Sequence, residues 1–393
     1  MSTIGGTSAS GGPASGGPVS GGPVSGGHAS ADRRGQARHR DEAALLKLAV
    51  DGDEHAFGEL VDAYRGELRA HCYRLLGSVH DAEDAIQDAM LRAWRGLGGF
   101  EGRSSFRSWL YSIATRTALD ITRHRSRREL PMCISPAASR GVGIDPPLTD
   151  SAWLEPFPDR WLIAAAAPAP EARYELRESV ELAFIVALQQ LPPGQRAALV
   201  LRDVMGFSAA ETAAQLGLSA AAANSALQRA RAAVKDRLPA RDQQSTLRSV
   251  GDQRTKAIVG RYADALERGD ADTLLSLLTA DATWSMPPVP TWFSGHAAVR
   301  DFLMRYPLRE RWKHYPTTAN GQLAVACYLF DPDTATYVPA VIDVLTMEGD
   351  LIAAVTGFQM PDRHAPDPAT AAQNATAAAQ MFTNFAVPTQ LPA

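Results

Sequence analysis

Residues 81–94 read DAEDAIQDAMLRAW, and residues 103–128 read RSSFRSWLYSIATRTALDITRHRSRR. The glycine-rich RGLGGFEG joins them. An acidic helix start, an aromatic patch and a basic run thus follow one another. That order suits a module that docks on a protein with one surface and holds opened nucleic acid with another. Asp81 is placed to cap the first helix, and Glu83 and Asp84 fall in its first turn, where the helix dipole favours negative charge. Its apolar stripe is Ala82, Ile86, Ala89, Met90, Trp94 and Leu97. Gly96, Gly98 and Gly99 stop it. A second helix begins near Ser105, with Phe106, Trp109, Leu110, Ile113 and Ile121 as its stripe. Upstream, Phe57, Leu60, Val61, Tyr64, Leu68 and Leu75 recur at helical spacing, so 41–128 reads as one helical domain.

The chain has 393 residues, too many for one ordinary domain, and its 45% hydrophobic content can fill several cores. The net charge of −4 excludes a global polycation, so any nucleic-acid role rests on local basic patches. Cys72, Cys133 and Cys327 are isolated, with no zinc spacing, and read as thiols in a reducing compartment. No catalytic triad, metal motif or cofactor motif is visible, and neither an apolar spanning run nor a signal-peptide core is present. The expectation is a cytoplasmic protein without cofactor or metal.

Composition divides the rest. Residues 1–40 repeat SGGPA, SGGPV, SGGPV and SGGHA and close on Arg33, Arg34, Arg38 and Arg40. Such a segment buries too little apolar surface to offset its ordering entropy, so a disordered tail is expected. Prolines between 131 and 170 forbid long helices there, making 129–170 a linker, although WLEPFPDRWL is apolar enough to dock. A second helical block spans 171–239. After a polar stretch, 252–360 carries helices and then strand-rich runs: VACYLF, YVPAVIDVLTM and, beyond the Glu348-Gly349-Asp350 turn, LIAAVTGFQM. Helices followed by antiparallel strands predict an α+β domain. The Ala- and Thr-rich 361–393 is expected to be disordered.

Within the second block, residues 207–235 read FSAAETAAQLGLSAAAANSALQRARAAVK. Ser208 caps a helix that Gly217 ends, and Ser219 caps the next, the pattern of a helix-turn-helix. Ala223, Ala226, Leu227 and Ala230 form the buried stripe of the second helix. Its exposed candidates for the major groove are Ala221, Ala222, Asn224, Ser225, Gln228, Arg229 and Arg231. Lys235 and these arginines also suit phosphate contacts or a solvated helix end.

The 81–94 and 106–128 segments together resemble regions 2.2 to 2.4 of bacterial sigma-70-type factors, with the extracytoplasmic-function (ECF) group the best match. Residues 188–235, from LQQLPPGQRAALVLRDVMG through the helix-turn-helix, resemble region 4 of the same group. The resemblance implies a transcription initiation factor, not an enzyme: two all-α domains that bind core RNA polymerase and promoter DNA. It implies docking on the polymerase β′ clamp helices through Asp81, Asp84, Gln87, Asp88 and Arg92, and contact with the β flap. It implies −10 recognition around Gly99–Phe106 with Arg103, Arg107, Arg116, Arg123, Arg127 and Arg128. The −35 element would be read by Asn224, Ser225, Gln228, Arg229 and Arg231. Trp109 and Tyr111 have the ring type that stacks on bases, but Trp109 lies on the apolar stripe. Arg116, Ala223 and Ala226 depart from residues common in the group, so a promoter sequence does not transfer. A flexible linker would let the two DNA modules act together.

Residues 262–288 and WFSGHAAVRDFL (292–303) resemble SnoaL-like or NTF2-like cone domains. That resemblance implies an apolar pocket with Trp284, Met286, Trp292, Phe293, Phe302, Tyr328 and Phe358 as candidate lining, and a small-molecule ligand as a possible partner. Asp281, His296, Asp301 and Asp343 are the titratable candidates for acid–base chemistry. A sigma subgroup carries such a domain, which implies that it modulates activity in place of a separate anti-sigma protein. The alternatives are a stand-alone helix-turn-helix activator and a small-molecule isomerase or cyclase fused to a DNA-binding module.

Overall fold

The computed structural model describes residues 41–148, 152–164 and 175–393. The Gly/Ser/Pro repeat, the arginines that close it and residues 165–174 lie outside them. Packing divides the chain between Phe57 and Gly58. Before that division, residues 41–50 are helical, and Asp53 Oδ1 accepts the His55 and Ala56 amides at 2.9 and 3.0 Å, starting α1 (Glu54–Leu76).

After it, α1 continues and is followed by α2 (Val79–Gly96) and α3 (Phe106–His124). Ser105 caps α3, as its position predicts. The cap of α2 is Ser78, not Asp81: Ser78 Oγ accepts the Asp81 amide at 3.0 Å. Asp81 lies within the first turn, on the buried side, and the Val79 and His80 amides donate to Glu155 Oε2 at 2.9 and 3.2 Å.

The proline-rich linker is docked, not loose. Leu130, Trp153, Leu154, Phe157 and Trp161 are buried, and short helices form at Pro131–Ile134 and Arg160–Ala164. Phe157 stacks at 4.7 Å from Tyr73 of α1, and its carbonyl and amide are both hydrogen-bonded. Prolines forbid helix here, but they do not forbid burial of the aromatic residues between them.

The second helical block comprises α4 (Leu182–Gln189), α5 (Pro193–Leu199), which runs into a π turn at Val200–Val204, α6 (Ala209–Leu216) and α7 (Ala220–Lys235). A full capping box joins Ser208 and Glu211 at the start of α6. Gly217 ends α6 in the left-handed region (φ 65°), and Ser219 caps α7. Small alanines along α6 and α7 let the two helices cross closely.

The C-terminal domain begins with α8 (Gln243–Val250), α9 (Asp252–Arg268) and α10 (Ala271–Ser276). Its sheet holds β1 (Leu278–Ser285), β2 (Trp292–Ser294), β3 (Trp312–Ala319), β4 (Gln322–Asp331), β5 (Thr336–Glu348), β6 (Leu351–Gln359) and β7 (Leu391–Pro392). The order is β2-β1-β6-β5-β4-β3, with β7 on β5; the β1–β6 pair is parallel and the others are antiparallel. Helix α11 (Gly295–Arg305) packs with α9 and the sheet around Tyr262, Trp284, Phe293 and Phe302. The expected disorder of 361–393 is corrected: α12 (Pro368–Asn384) is capped by Asp367 and buries Met381 and Phe382. Phe382 meets Tyr328 edge-on at 5.0 Å. Two large apolar residues among the alanines, at adjacent positions, provide the burial that composition hides.

The tip of the β3–β4 hairpin enters the helical part of the molecule. Asn320 and Gly321 both have positive φ (55° and 68°) in a two-residue turn between the paired residues Ala319 and Gln322. Asn320 is fully buried. Its Oδ1 accepts the Phe157 amide at 2.8 Å, and its Nδ2 donates to the Tyr73 hydroxyl at 2.9 Å and the Val180 carbonyl at 2.8 Å. Gly321 donates to Asp159 Oδ1 at 2.7 Å, and Gln322 Oε1 accepts the Leu182 amide at 2.9 Å. A β-carbon on Gly321 would stand 2.7 Å from the Arg177 carbonyl oxygen, so this turn requires glycine.

A second tie lies beside it. The Glu181 carboxylate accepts the Gln243 and Gln244 amides at 3.0 and 3.1 Å, at the N-terminus of α8. Burial outweighs those bonds and pushes Glu181 up to about 7, while burial raises Asp159 to about 6. Both native carboxyls hold their protons to higher pH than unfolded ones, so this contribution is complete below the unfolded carboxyl range. It is lost as pH rises through 6 to 7. We expect melting of the full chain to lose on the order of 1–2 kcal/mol between pH 5 and 7.5 from this source. Glu181→Gln, which keeps the acceptor, should flatten that slope in parallel calorimetric scans; an unchanged slope would show that another group sets it.

Candidate nucleic-acid interface

The exposed face of α2 holds Asp84, Gln87 and Arg92, with Asp88 half-buried. Arg92 bridges Asp88 at 2.7 Å and Asp120 of α3 at 3.3 Å. Asp81 is not part of this face. It is 2% exposed, and its carboxylate is held by Arg125 and, at 2.5 Å, by Arg128. Its place is corrected accordingly: it anchors the basic run after α3 to α2. Leu91 takes a place on the exposed face, 56% exposed among polar neighbours. The signal for it lay in the sequence: Leu91 follows Gln87 by four residues and falls off the apolar stripe.

The proposed −10 residues divide into groups. Arg103 is exposed beside Glu101, and Arg123 is exposed beside Asp120. Arg127 donates to Gln190 Oε1 at 2.9 Å. Arg128 is mostly covered and also donates to the Trp153 carbonyl at 2.7 Å. Arg107 pairs with Glu67 at 3.3 Å and lies over the Tyr111 and Phe207 rings at 4.8 and 5.0 Å. Arg116 reaches across to the carbonyl end of α6, donating to the Gln215 and Ala214 oxygens at 3.3 and 3.4 Å. A cation there complements the negative end of the helix dipole.

The aromatic patch is structural in this conformation. Trp109 packs with Phe100 and Phe106 at 5.2 and 5.7 Å. Tyr111 is fully buried, donates to Glu67 Oε2 at 3.0 Å and meets Phe207 edge-on. It is therefore not presented for base stacking. Its burial, with the neighbouring Glu67 carboxylate, raises the phenol far above its ordinary pKa.

Helix α7 turns Ala221, Ala222, Asn224, Ser225, Gln228 and Arg229 to solvent, with Ala223, Ala226, Leu227, Ala230 and Val234 inward. Arg231 is exposed but holds Asp203 bidentately at 2.6 and 2.8 Å. The four polar residues from Asn224 to Arg229 therefore form one outward strip of donors and acceptors suited to base edges.

Two arginines join the helical blocks through carbonyls. Arg74 of α1 is buried and donates to the Ser179 carbonyl at 3.0 Å and hydroxyl at 2.5 Å; burial lowers it to about 10. Arg196 of α5 caps the end of α1 at the Leu75 carbonyl and also binds Gln189 and Leu191.

In the C-terminal domain, Trp284, Met286 and Phe302 line a cavity of about 300 Å³, together with Asp343, His314 and Trp312. Four of the expected lining residues do not line it. Phe293 stacks on Phe302 inside the core at 4.8 Å, and Tyr328 faces α12. Trp292 donates to the Ser135 carbonyl at 2.9 Å, and Phe358 is buried elsewhere in the sheet. Strand alternation, invisible before the register was known, decides which ring points inward. Of the four titratable candidates, only Asp343 lines the cavity. Asp281 is exposed, His296 is 3.3 Å from the Leu278 carbonyl, and Asp301 holds Arg305 and the Gly141 amide. Sequence reasoning missed His314 and the Asn320-Gly321 turn, although Asn-Gly between two β-rich runs is a strong hairpin signal.

Among the described residues no helix is long and apolar enough to cross a membrane. Residues 60–128 match the sigma-70 region 2 family, residues 181–234 sigma-70 region 4, and residues 259–355 the SnoaL-like domain. The chain is 38% identical over 305 residues to ECF RNA polymerase sigma factor SigG of Mycobacterium tuberculosis, covering 77% of this chain and 80% of that protein. It is 32% identical over 224 residues to the ECF sigma factor SigJ of the same species, covering 57% of this chain and 62% of that one. The crystal structure of M. tuberculosis SigJ superposes with a TM-score of 0.50 at 25% identity, over 78% of this chain and 98% of SigJ. With helical regions 2 and 4 ahead of a SnoaL-like sheet domain, the chain belongs to the ECF RNA polymerase sigma factors.

Proposed function

We propose that this sigma factor works in the cytoplasm, bringing core RNA polymerase to promoters, and that the conformation described is its closed, resting form. The observation that carries the second part is Arg116. A residue of the proposed −10 surface is bonded to the helix-turn-helix that would read −35. Both elements cannot reach separated promoter sites while held in that way. In this reading Asp84, Gln87, Asp88 and Arg92 dock on the polymerase, with Leu91 as the apolar anchor of the patch. Arg103, Arg107, Arg116, Arg123 and Arg127 meet the −10 strand after opening. Arg128 and Asp81 position the basic run instead of reading DNA.

The C-terminal domain acts as the clamp of the closed form, through Asn320, Gly321 and Gln322. We read it as a regulator, since it supplies the hairpin that ties the helical blocks together. Run-off transcription with purified core polymerase tests the whole reading. Asn320→Asp keeps a residue that tolerates positive φ but removes two donors, and should raise promoter-dependent transcript several-fold. Transcript equal to wild type would remove the clamp; no promoter-dependent transcript from either protein would remove the initiation role.

The recognition strip carries its own test. Arg229→Ala and Gln228→Ala should each weaken holoenzyme binding to a cognate −35 site, by roughly 1–3 kcal/mol if a base edge is read. If Arg229 meets only phosphate, binding falls equally on all sequences and the salt dependence becomes shallower. Filter binding across a salt series separates the two outcomes.

A further inference from the structure

The cavity of the C-terminal domain is closed on one side by a segment that does not belong to that domain. Residues 135–148 come from the linker after region 2, yet they lie along the cone. Ala138 donates to the Trp292 carbonyl at 2.8 Å, and Gly141 donates to Asp301 Oδ2 at 2.9 Å. Arg305 donates to the Val142 carbonyl at 2.6 Å. The Asp145 amide donates to Thr291 Oγ1 at 2.9 Å, and the Leu148 amide donates to the Pro288 carbonyl at 3.0 Å. Between these anchors Ile144 turns inward and lines the cavity.

The interior has a defined polarity. Trp284, Met286, Phe302 and Trp312 give it aromatic and thioether walls. At one end Asp343 is 95% buried by its 5% exposure, and its Oδ2 accepts the Tyr262 hydroxyl at 2.8 Å and the Cys327 thiol at 3.3 Å. Among the described residues no donor is placed on Oδ1. Gly357 keeps the space beside that oxygen open: a β-carbon there would stand 2.8 Å from it. His314, also in the lining, has its side chain buried and is held neutral, its pKa lowered to about 4 by desolvation. A volume of about 300 Å³ sits at the low end of the roughly 300–1,000 Å³ usual for small-molecule sites. Arg305, Arg309 and Glu310 also line the cavity, but Arg305 is paired with Asp301 at 2.5 Å and the other two are exposed, so the cations do not face the buried end. Desolvating a charged ligand at that end is costly, and an anion there would face the Asp343 carboxyl.

We propose that this cavity binds an uncharged, ring-containing small molecule that donates a hydrogen bond to Asp343 Oδ1, and that its entry displaces Ile144 and loosens the 135–148 strap from the cone. The inference takes the cone as a regulatory domain from the reading above, and names the ligand class and the element that responds. The strap leads directly back to Leu130 and Arg128, and so to Asp81 of α2. Ligand in the cone thereby reaches region 2 through a continuous piece of chain.

The test uses the full chain without polymerase. The probe is 2-naphthol, a neutral fluorescent ring with one donor; 2-methoxynaphthalene lacks the donor, and 2-naphthoate is an anion. 2-Naphthol should bind saturably with one site per chain. 2-Methoxynaphthalene should bind roughly tenfold more weakly, the loss of one buried hydrogen bond to a carboxylate, and 2-naphthoate weakest of the three. Val341→Phe fills the cavity from the sheet, and Ile144→Trp fills it from the strap without altering the sheet; each should abolish binding. Hydrogen exchange at the Ala138, Gly141, Asp145 and Leu148 amides should quicken several-fold when 2-naphthol is bound. No saturable binding, equal affinity for all three probes, or undiminished binding by Ile144→Trp overturns the site. Binding with unchanged strap exchange overturns the coupling. None of these readouts involves transcription, so a failed clamp in the run-off assay leaves them untouched, and their failure leaves that assay untouched.

Discussion

One side-chain amide joins the three parts of this sigma factor. Asn320 sits at the tip of a hairpin, buried, with each of its side chain's three bonds to a different segment: Tyr73 of region 2, Phe157 of the linker and Val180 before region 4. An amide can donate and accept at once, so it suits a junction where both kinds of backbone and side-chain group converge. Its positive φ is tolerated by asparagine, and the glycine after it allows the Arg177 carbonyl to approach. The hairpin projects because two residues suffice for the turn, leaving no loop to blunt its tip.

The contacts around this junction combine buried aromatic packing, Tyr73 on Phe157 and Tyr111 on Phe207, with a set of polar ties. Arg74, Arg116 and Arg196 reach the facing block at backbone carbonyls, a hydroxyl and, for Arg74, the Met205 sulfur at 3.9 Å, with no carboxylate across the contact among the described residues. Water can replace such partners at small net cost, because the bonds exchanged are similar in kind. The polar ties therefore fix the geometry of an interface whose burial comes from the aromatic residues. Asp159 and Glu181 are elevated because burial outweighs their bonds to backbone amides and, for Asp159, the attraction of Arg177.

Much of this was legible beforehand. The caps Ser105, Ser208 and Ser219, the break at Gly217 and the outward strip of α7 follow from local chemistry, and local chemistry is what a sequence records. The misreadings share one cause. Asp81 and Tyr111 were read from their own helices, but their hydrogen-bond partners lie 44 or 47 positions away. The linker and the C-terminal tail were judged by average composition, whereas their burial is due to a few aromatic residues, Phe157, Trp161 and Phe382. In the cone, the inward set of rings depended on strand register, which no periodicity within a single strand reports. The Asn320-Gly321 turn was the exception: its local signal was present, and only its destination was not.

The strap and the hairpin also set an order of events during synthesis. Region 2, the strap and the helix-turn-helix all leave the ribosome before their docking surfaces on β2, α11 and the β3–β4 turn exist. Tyr73 waits for Asn320, a separation of 247 residues. Domains fold as units during translation, N-terminal first, at roughly 5–20 residues per second. Each newly made chain accordingly passes through an interval of seconds in which the two DNA-reading modules hold only their direct contacts, such as Arg116 on the end of α6, and lack the hairpin. In the proposed closed form the cone's clamp is therefore the last contact to be made, as the final strands pair late in translation.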